Sequence, residues 1–288
     1  MPVSSPAARL LDPRLHALLH AVPEAQAGDV RAVHQARVAS RRLREALPVA
    51  GAAARPAVLR RARRAVRRLT RALGPVRELD VALGHLDEVA GRGLVPAAAL
   101  SRVRASLEQR RQARRGALLD ALTPSRLEQL RRRIAALETS LPPAAEARRA
   151  SRAAADTRVQ RRGGRLAVAI ERAGNVYLPD RLHRVRIAAK KLRYAVEVRQ
   201  ELVRSRATRR IGSLKRLQDL LGRLHDLEVL IDHVRDVQAE AAVGARGVTS
   251  GLDAVVRALE AECRELHGAY VADRDGWLRL AQAAAETP

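Results

Sequence analysis

His34, Arg37, Arg41 and Arg44 stand at helical spacing, and the same pattern returns 149 residues later as His183, Arg186, Lys190 and Arg193. At 100° per residue each set falls within an arc of roughly 80°, so each predicts a helix carrying one cationic stripe. The chemistry open to such a stripe is recognition of an anion. Arginine presents a planar fork of N–H donors that fits phosphoryl and carboxylate oxygens and keeps its charge. The histidine heading each stripe can donate a hydrogen bond and become cationic beside a phosphate. Its alternative role is helix packing, hydrogen-bonded to a neighbouring carboxylate. Arg42 and Lys191 flank the two stripes.

Those helices must be held by their opposite faces. Ala36, Ala39, Leu43, Ala46 and Leu47 in the first copy, and Val185, Ala188, Leu192, Ala195 and Val196 in the second, form that core side. Like charges three and four residues apart cost an isolated helix about 0.2–0.5 kcal/mol per pair. A solvated basic face is the plain reading of one such run. Two runs with the histidine at the same place point instead to a shared polyanion.

A second element repeats in the same order. Arg67, Arg68, Leu73, Gly74, Glu78, Leu79, Asp80 and Val81 align with Lys215, Arg216, Leu221, Gly222, Asp226, Leu227, Glu228 and Val229. The chain therefore reads as one internal duplication, with halves 1–143 and 144–288 divided at Pro142-Pro143. Packing the helix of Arg67 and Arg68, and that of Lys215 and Arg216, against the motif helices predicts a second row of cations beside one continuous groove. Arg102, Arg104, Arg110, Arg111, Arg114 and Arg115 lack strong counterparts in the second half and read as mostly surface.

Composition agrees with a polyanionic partner. The 288 residues carry 55 Lys+Arg against 31 Asp+Glu, a net charge of +24 whose self-repulsion disfavours the compact state. Lysine occurs only at Lys190, Lys191 and Lys215. Phe is absent, Trp occurs once and Tyr three times, so base-stacking platforms for single-stranded nucleic acid are nearly missing. An apolar fraction built on Ala, Leu and Val suits close-packed helices. The lone Cys263 excludes an internal disulfide and a cysteine-pair metal site. With no signal-peptide pattern and no apolar run of about 18 residues, a cytoplasmic location is expected. A membrane surface is a poor partner, because the basic faces lack aromatic anchors.

Periodicity predicts helices throughout and no strand. The expected segments are 10–22, one capped by Asp29 and ending before Gly51, 55–73, one from Pro75 to Gly91, 95–122, 125–137, 149–173, one capped by Asp180, 207–221, 224–242, and a last long helix after a Gly-rich turn at 244–251. Gly74-Pro75 and Gly222 are read as breaks or kinks, and the tail after Ala283 as frayed.

The paired motifs at 33–44 and 182–193, continued by Tyr194 and Glu197, together with the Leu-Gly elements at 73–79 and 221–227, resemble the CHAD domain, the conserved histidine α-helical domain. The resemblance covers nearly the whole chain. It implies an all-α fold, two pseudo-symmetric four-helix-bundle-like halves forming one domain, with a basic central groove that binds inorganic polyphosphate. It assigns anion binding to His34, Arg37, Arg41, Arg44, His183, Arg186, Lys190 and Arg193, with Arg42, Lys191, Arg67, Arg68, Lys215 and Arg216 beside them. CHAD members are often fused to a CYTH-type triphosphatase whose Glu-x-Glu-x-Lys signature does not occur here, so no such activity is carried over.

The expected function is thus non-catalytic polyphosphate binding, associated with polyphosphate granules, with no cofactor, no metal and nucleic acid bound only non-specifically. Two other classes stay open. Glu78, Asp80, His225, Asp226 and Glu228 could serve a metal-dependent phosphoanhydride hydrolase, although Arg77-Glu78 stands where His225-Asp226 recurs. The charge also permits a nucleoid protein, without a named DNA-binding motif.

Overall fold

The structure is a computed structural model that describes residues 6–93, 95–203, 208–241 and 246–286. Among these the chain forms α-helices and no strand, as the periodicity predicts. The helices are α1 (Pro6–His20), α2 (Val22–Ala27), α3 (Val30–Ala50), α4 (Pro56–Gly91), α5 (Ala97–Ala121), α6 (Pro124–Thr139), α7 (Ala144–Ala173), α8 (Pro179–Val203), α9 (Thr208–Ala241) and α10 (Arg246–Glu286).

Three apolar cores organise them. The first gathers α1, α2, α3, α6, the start of α4 and the end of α5, around Leu11, Leu18, Leu43, Leu47 and Leu73. The second gathers α7, α8, the start of α9 and the end of α10, around Leu166, Leu192, Leu217 and Tyr270. The third joins the far ends of α4 and α9 to α5 and α10 through Leu86, Leu107, Leu230 and Leu259. Each of α4 and α9 therefore runs out of one core and into the third.

That path explains two corrections. Gly74-Pro75 does not end a helix: α4 passes through it without a break, as α9 passes through Gly222. Pro75 removes one N–H from the helix ladder, but Leu73, Val76 and Leu79 are buried on one face and hold the segment helical. A Cβ on Gly74 would lie 2.9 Å from the Arg37 guanidinium, and one on Gly222 3.9 Å from Arg186 Nε. Gly74 thus marks where α4 lets Arg37 lie against it, whereas at Gly222 a Cβ would meet Arg186 only at ordinary contact distance.

Other boundaries shift for local reasons. Asp29 caps α3 by accepting from the Ala32 amide at 2.6 Å. Asp180 is not the cap of α8 but an acid inside its first turn, where the helix dipole favours it. Pro23 opens α2 rather than only ending α1. Of the expected turn at 244–251, residues 244–245 lie outside the described residues, and 246–251 belong to α10. The end expected to fray is helical to Glu286. Gly163 allows α7 to press onto α10, since a Cβ there would lie 2.5 Å from the Ala285 amide nitrogen.

Candidate functional site

The α3 and α8 motif helices face each other across a cavity of about 680 Å³, closed on its sides by α4 and α9. His34, Arg37, Arg41 and Arg44 line it from α3, and His183, Arg186, Lys190, Lys191 and Arg193 from α8. Arg77 and Glu78 of α4 and His225 and Asp226 of α9 complete the wall. These last four sit where α4 and α9 cross from one core to the next, so the two helices deliver them to equivalent places.

Charge is unevenly matched in this cavity. Arg186 meets Asp226 at 3.4 Å. Arg193 pairs with Glu197 and donates to Gln218, and its guanidinium lies 4.7 Å from the Tyr194 ring centroid. Arg44 approaches Glu45 at 3.7 Å. Among the described residues Arg37, Arg41 and Lys190 form no ion pair.

The cost of that crowding is visible in the acid–base behaviour. Burial, then Arg41, Arg186 and Arg44, push the Arg37 guanidinium down to about 10 against the pull of Glu78. Burial, then Arg41, Arg186 and Arg37, push the Lys190 ammonium down to about 6. Asp226 opposes that push, and an arriving polyanion would oppose it further, favouring the protonated ammonium. His34 is lowered by burial and then by Arg77, Arg37 and Arg41. His183 is lowered by burial and then by His225, whose Nδ1 lies 3.1 Å from its own. Asp226 would be raised by burial, but neighbouring His85 and Arg186 outweigh that and hold it below the carboxylate range.

Two of the acids considered for metal chemistry are held by other partners, while Glu78 and Asp226 stay in the wall. The Asp80 carboxylate is fully buried and accepts from Arg111 Nε at 2.6 Å. Glu228 accepts from the Tyr177 hydroxyl at 3.0 Å. No group of three or more His, Cys, Asp or Glu side chains able to hold a metal ion occurs among the described residues.

The family model described as the CHAD domain matches residues 9–235. The chain belongs to the CHAD family. The crystal structure of the CHAD domain from the plant Ricinus communis is 25% identical, with 97% of this chain and 92% of that one covered and a TM-score of 0.64. PptA from Streptomyces chartreusis shares the fold at 19% identity, with 96% and 99% covered and a TM-score of 0.65. No curated protein matches the chain.

In this CHAD domain the second row of cations is not where the repeat suggested. Arg67, Arg68, Lys215 and Arg216 are exposed and do not reach the cavity. The faces of α4 and α9 at those positions bury Val66, Leu69, Leu214 and Leu217, which turns the adjacent cations outward. The wall contribution comes ten residues on, from Arg77 and His225. Arg42 leaves the cavity for a neighbouring one beside α1. Arg110 and Arg111 are not merely surface residues: Arg110 bridges to Asp236 at 2.7 Å and Arg111 ties α5 to Asp80.

Two residues that the repeat and the charge pattern do not single out anchor the site. Glu45, the only acid in α3, is buried beneath the stripe and accepts from Arg158 at 2.8 Å and from Arg162. Arg162 of α7 is itself buried and also donates to the Lys191 carbonyl of α8. The signal was a lone carboxylate following Arg44; its distant partner Arg162 had none. No helix among the described residues is long and apolar enough to cross a membrane.

Proposed function

We propose that this chain binds inorganic polyphosphate in the cavity between α3 and α8, as a non-catalytic module acting as one domain over 1–288. Through that binding it would associate with polyphosphate granules in the cytoplasm. The observation that carries the reading is the crowding of Arg37, Arg41 and Lys190, from both motif helices, with none of them in an ion pair among the described residues and with more cations than acids in the wall. A folded protein tolerates such repulsion where a bound anion relieves it. Polyphosphate supplies dense charge and only phosphoryl oxygens, which suits arginine forks and needs no stacking rings. Tyr194 is the one ring of Phe, Tyr or Trp in the wall, and it is buried.

The test is a competition titration at near-physiological salt, with labelled long-chain polyphosphate displaced by duplex DNA or by orthophosphate at matched phosphate concentration. Polyphosphate should resist both. Preferential binding of DNA would overturn the reading, because diffuse charge alone gives non-specific DNA binding.

The repeated glycine offers a separate check. Gly74→Ala should change thermal stability by about 1 kcal/mol or less, since the better helix propensity of alanine is opposed by the contact of its Cβ with the Pro75 ring. Its Cβ would displace the Arg37 guanidinium, so tripolyphosphate affinity should fall several-fold. Gly222→Ala, with 3.9 Å of clearance, should leave affinity nearly unchanged. Equal behaviour of the two variants would count against Arg37 as a direct ligand held by α4.

A further inference from the structure

A groove of about 900 Å³ runs between α7 and α8. The two helices are antiparallel neighbours, and two hydrogen bonds fix their pairing. Near the turn Arg181 Nη1 donates to the Arg172 carbonyl at 2.9 Å; ten residues further along each helix, Arg162 donates to the Lys191 carbonyl. α7 supplies Arg161, Arg165 and Arg172 to the groove, and α8 supplies Arg181 and Arg184. Glu171 is the single acid in its lining among the described residues. None of the five arginines forms an ion pair among those residues.

Helical spacing explains the alignment. At 100° per residue Arg161, Arg165, Val168 and Arg172 fall within an arc of about 60°, and the row is roughly 16 Å long. On α8, Arg184 lies nearly opposite Arg186, so the helix turns Arg186 and Lys190 to the first cavity and Arg184 to the groove. Lys191, seven residues after Arg184, falls within about 20° of it. Yet Lys191 also lines the first cavity. Burial, then Arg162, Arg165 of the groove and Arg44 of the cavity, lower its ammonium against the pull of Glu45. Lys191 is therefore the cation at which the two spaces meet.

One row of arginines on one helix is a solvated face. Here two rows face each other across a groove, outnumber their acid five to one, and end at a residue of the anion cavity. An anion held between the rows relieves their repulsion. The floor residues Val168 and Ala169 offer no ring, so the bases of single-stranded nucleic acid have nothing to stack on there.

We infer that the α7–α8 groove is a second binding segment for phosphate chains too long for the first cavity, reached across α8 at Lys191. The inference rests on the polyphosphate reading above, and adds where the overhang of a held chain goes. Its consequence is selectivity for length. Tripolyphosphate occupies the first cavity alone, whereas a long chain gains the groove arginines as well.

The experiment measures the affinities of tripolyphosphate, long-chain polyphosphate and duplex DNA for the full chain, as a function of salt. Wild type is compared with Arg161→Gln/Arg165→Gln/Arg172→Gln and with Arg148→Gln/Arg149→Gln/Arg152→Gln, which removes the same charge from exposed positions of α7 outside the groove. The groove variant should lose about tenfold in long-chain affinity, and its slope of log affinity against log salt should become shallower by about 2 for three lost phosphate contacts. Its tripolyphosphate affinity should stay within about twofold of wild type, as should both affinities of the control variant. Arg181→Gln/Arg184→Gln, which reports on the groove from α8, should also lower long-chain affinity alone. An equal long-chain loss in the control variant, or an equal loss for tripolyphosphate and the long chain in the groove variants, overturns the groove while leaving polyphosphate binding in place. So does a loss confined to DNA, which would make the groove a nucleic-acid surface. A wild type that binds neither phosphate chain overturns the polyphosphate reading as well.

Discussion

Glu45→Ala is expected to destabilise the protein by about 3–5 kcal/mol, the usual result of removing one partner from a buried ion pair. Glu45 and Arg162 are both buried, and the other acceptor of Arg162 is the Lys191 carbonyl. Without the carboxylate, a guanidinium is left beneath a layer of further cations, with Arg158 and Arg44 beside it. In a chain of this size the loss corresponds to a melting temperature lower by about 10 °C. Glu45→Gln keeps an acceptor without the charge and should cost distinctly less. The effect has a pH signature. Burial would raise the Glu45 carboxyl, but Arg162 and Arg158 outweigh it and hold it below its ordinary 4.5. A depressed carboxylate contributes stability that is complete above the unfolded value and is lost as pH falls through the folded one. The gap between wild type and Glu45→Ala in thermal melts should therefore narrow in acid below about 4.5. A constant gap, or a melting temperature within a degree or two of wild type, would mean that Arg162 finds another partner.

What was legible in the sequence was periodic and repeated. The 3.6-residue pattern gave the helices, and the duplicated stripes brought His34, Arg37, Arg41 and Arg44 opposite His183, Arg186, Lys190 and Arg193. What was not legible depended on tertiary packing without local trace. Gly74-Pro75 and Gly222 carry the composition of helix ends, but burial of Leu73, Leu79, Leu221 and Leu227 overrides it. Gly74 serves the arginine packed on it instead. Arg67, Arg68, Lys215 and Arg216 repeat faithfully yet face solvent, because a repeat fixes equivalence between halves and not direction. Arg77 and His225 were aligned by the repeat but weighed only for metal chemistry, because their residue types differ; they occupy equivalent positions in the wall. Arg162 had no sequence signal, since its importance comes from one carboxylate 117 residues away.

Arg37→Ala/Arg186→Ala is expected to weaken long-chain polyphosphate binding by about 10²–10³-fold, on the basis of roughly 1.5–3 kcal/mol for each charge-assisted hydrogen bond. The two guanidiniums act on each other and on Lys190. Arg186 lowers Arg37, and both help depress Lys190 to about 6. Removing either one therefore relieves part of the repulsion that the other and Lys190 bear, and a fuller charge on Lys190 restores part of the attraction to the anion. The double variant should be weakened by less than the sum of what two independent guanidiniums would contribute, with the coupling read from a double-mutant cycle. Salt supplies a second readout, because an arginine that no longer pairs with a phosphate no longer releases its counterion. The slope of log affinity against log salt should become shallower by about 1.4 for two such pairs on a single-stranded polyanion. Proton uptake supplies a third. At pH 7 the wild type should take up a proton at Lys190 on binding. The double variant, in which Lys190 is already more fully charged, should take up less. Affinity and salt slope indifferent to both substitutions would mean that the anion is held by the exposed cations outside this cavity. Strict additivity, with unchanged proton uptake, would mean that Arg37 and Arg186 bind it independently and that Lys190 stands apart.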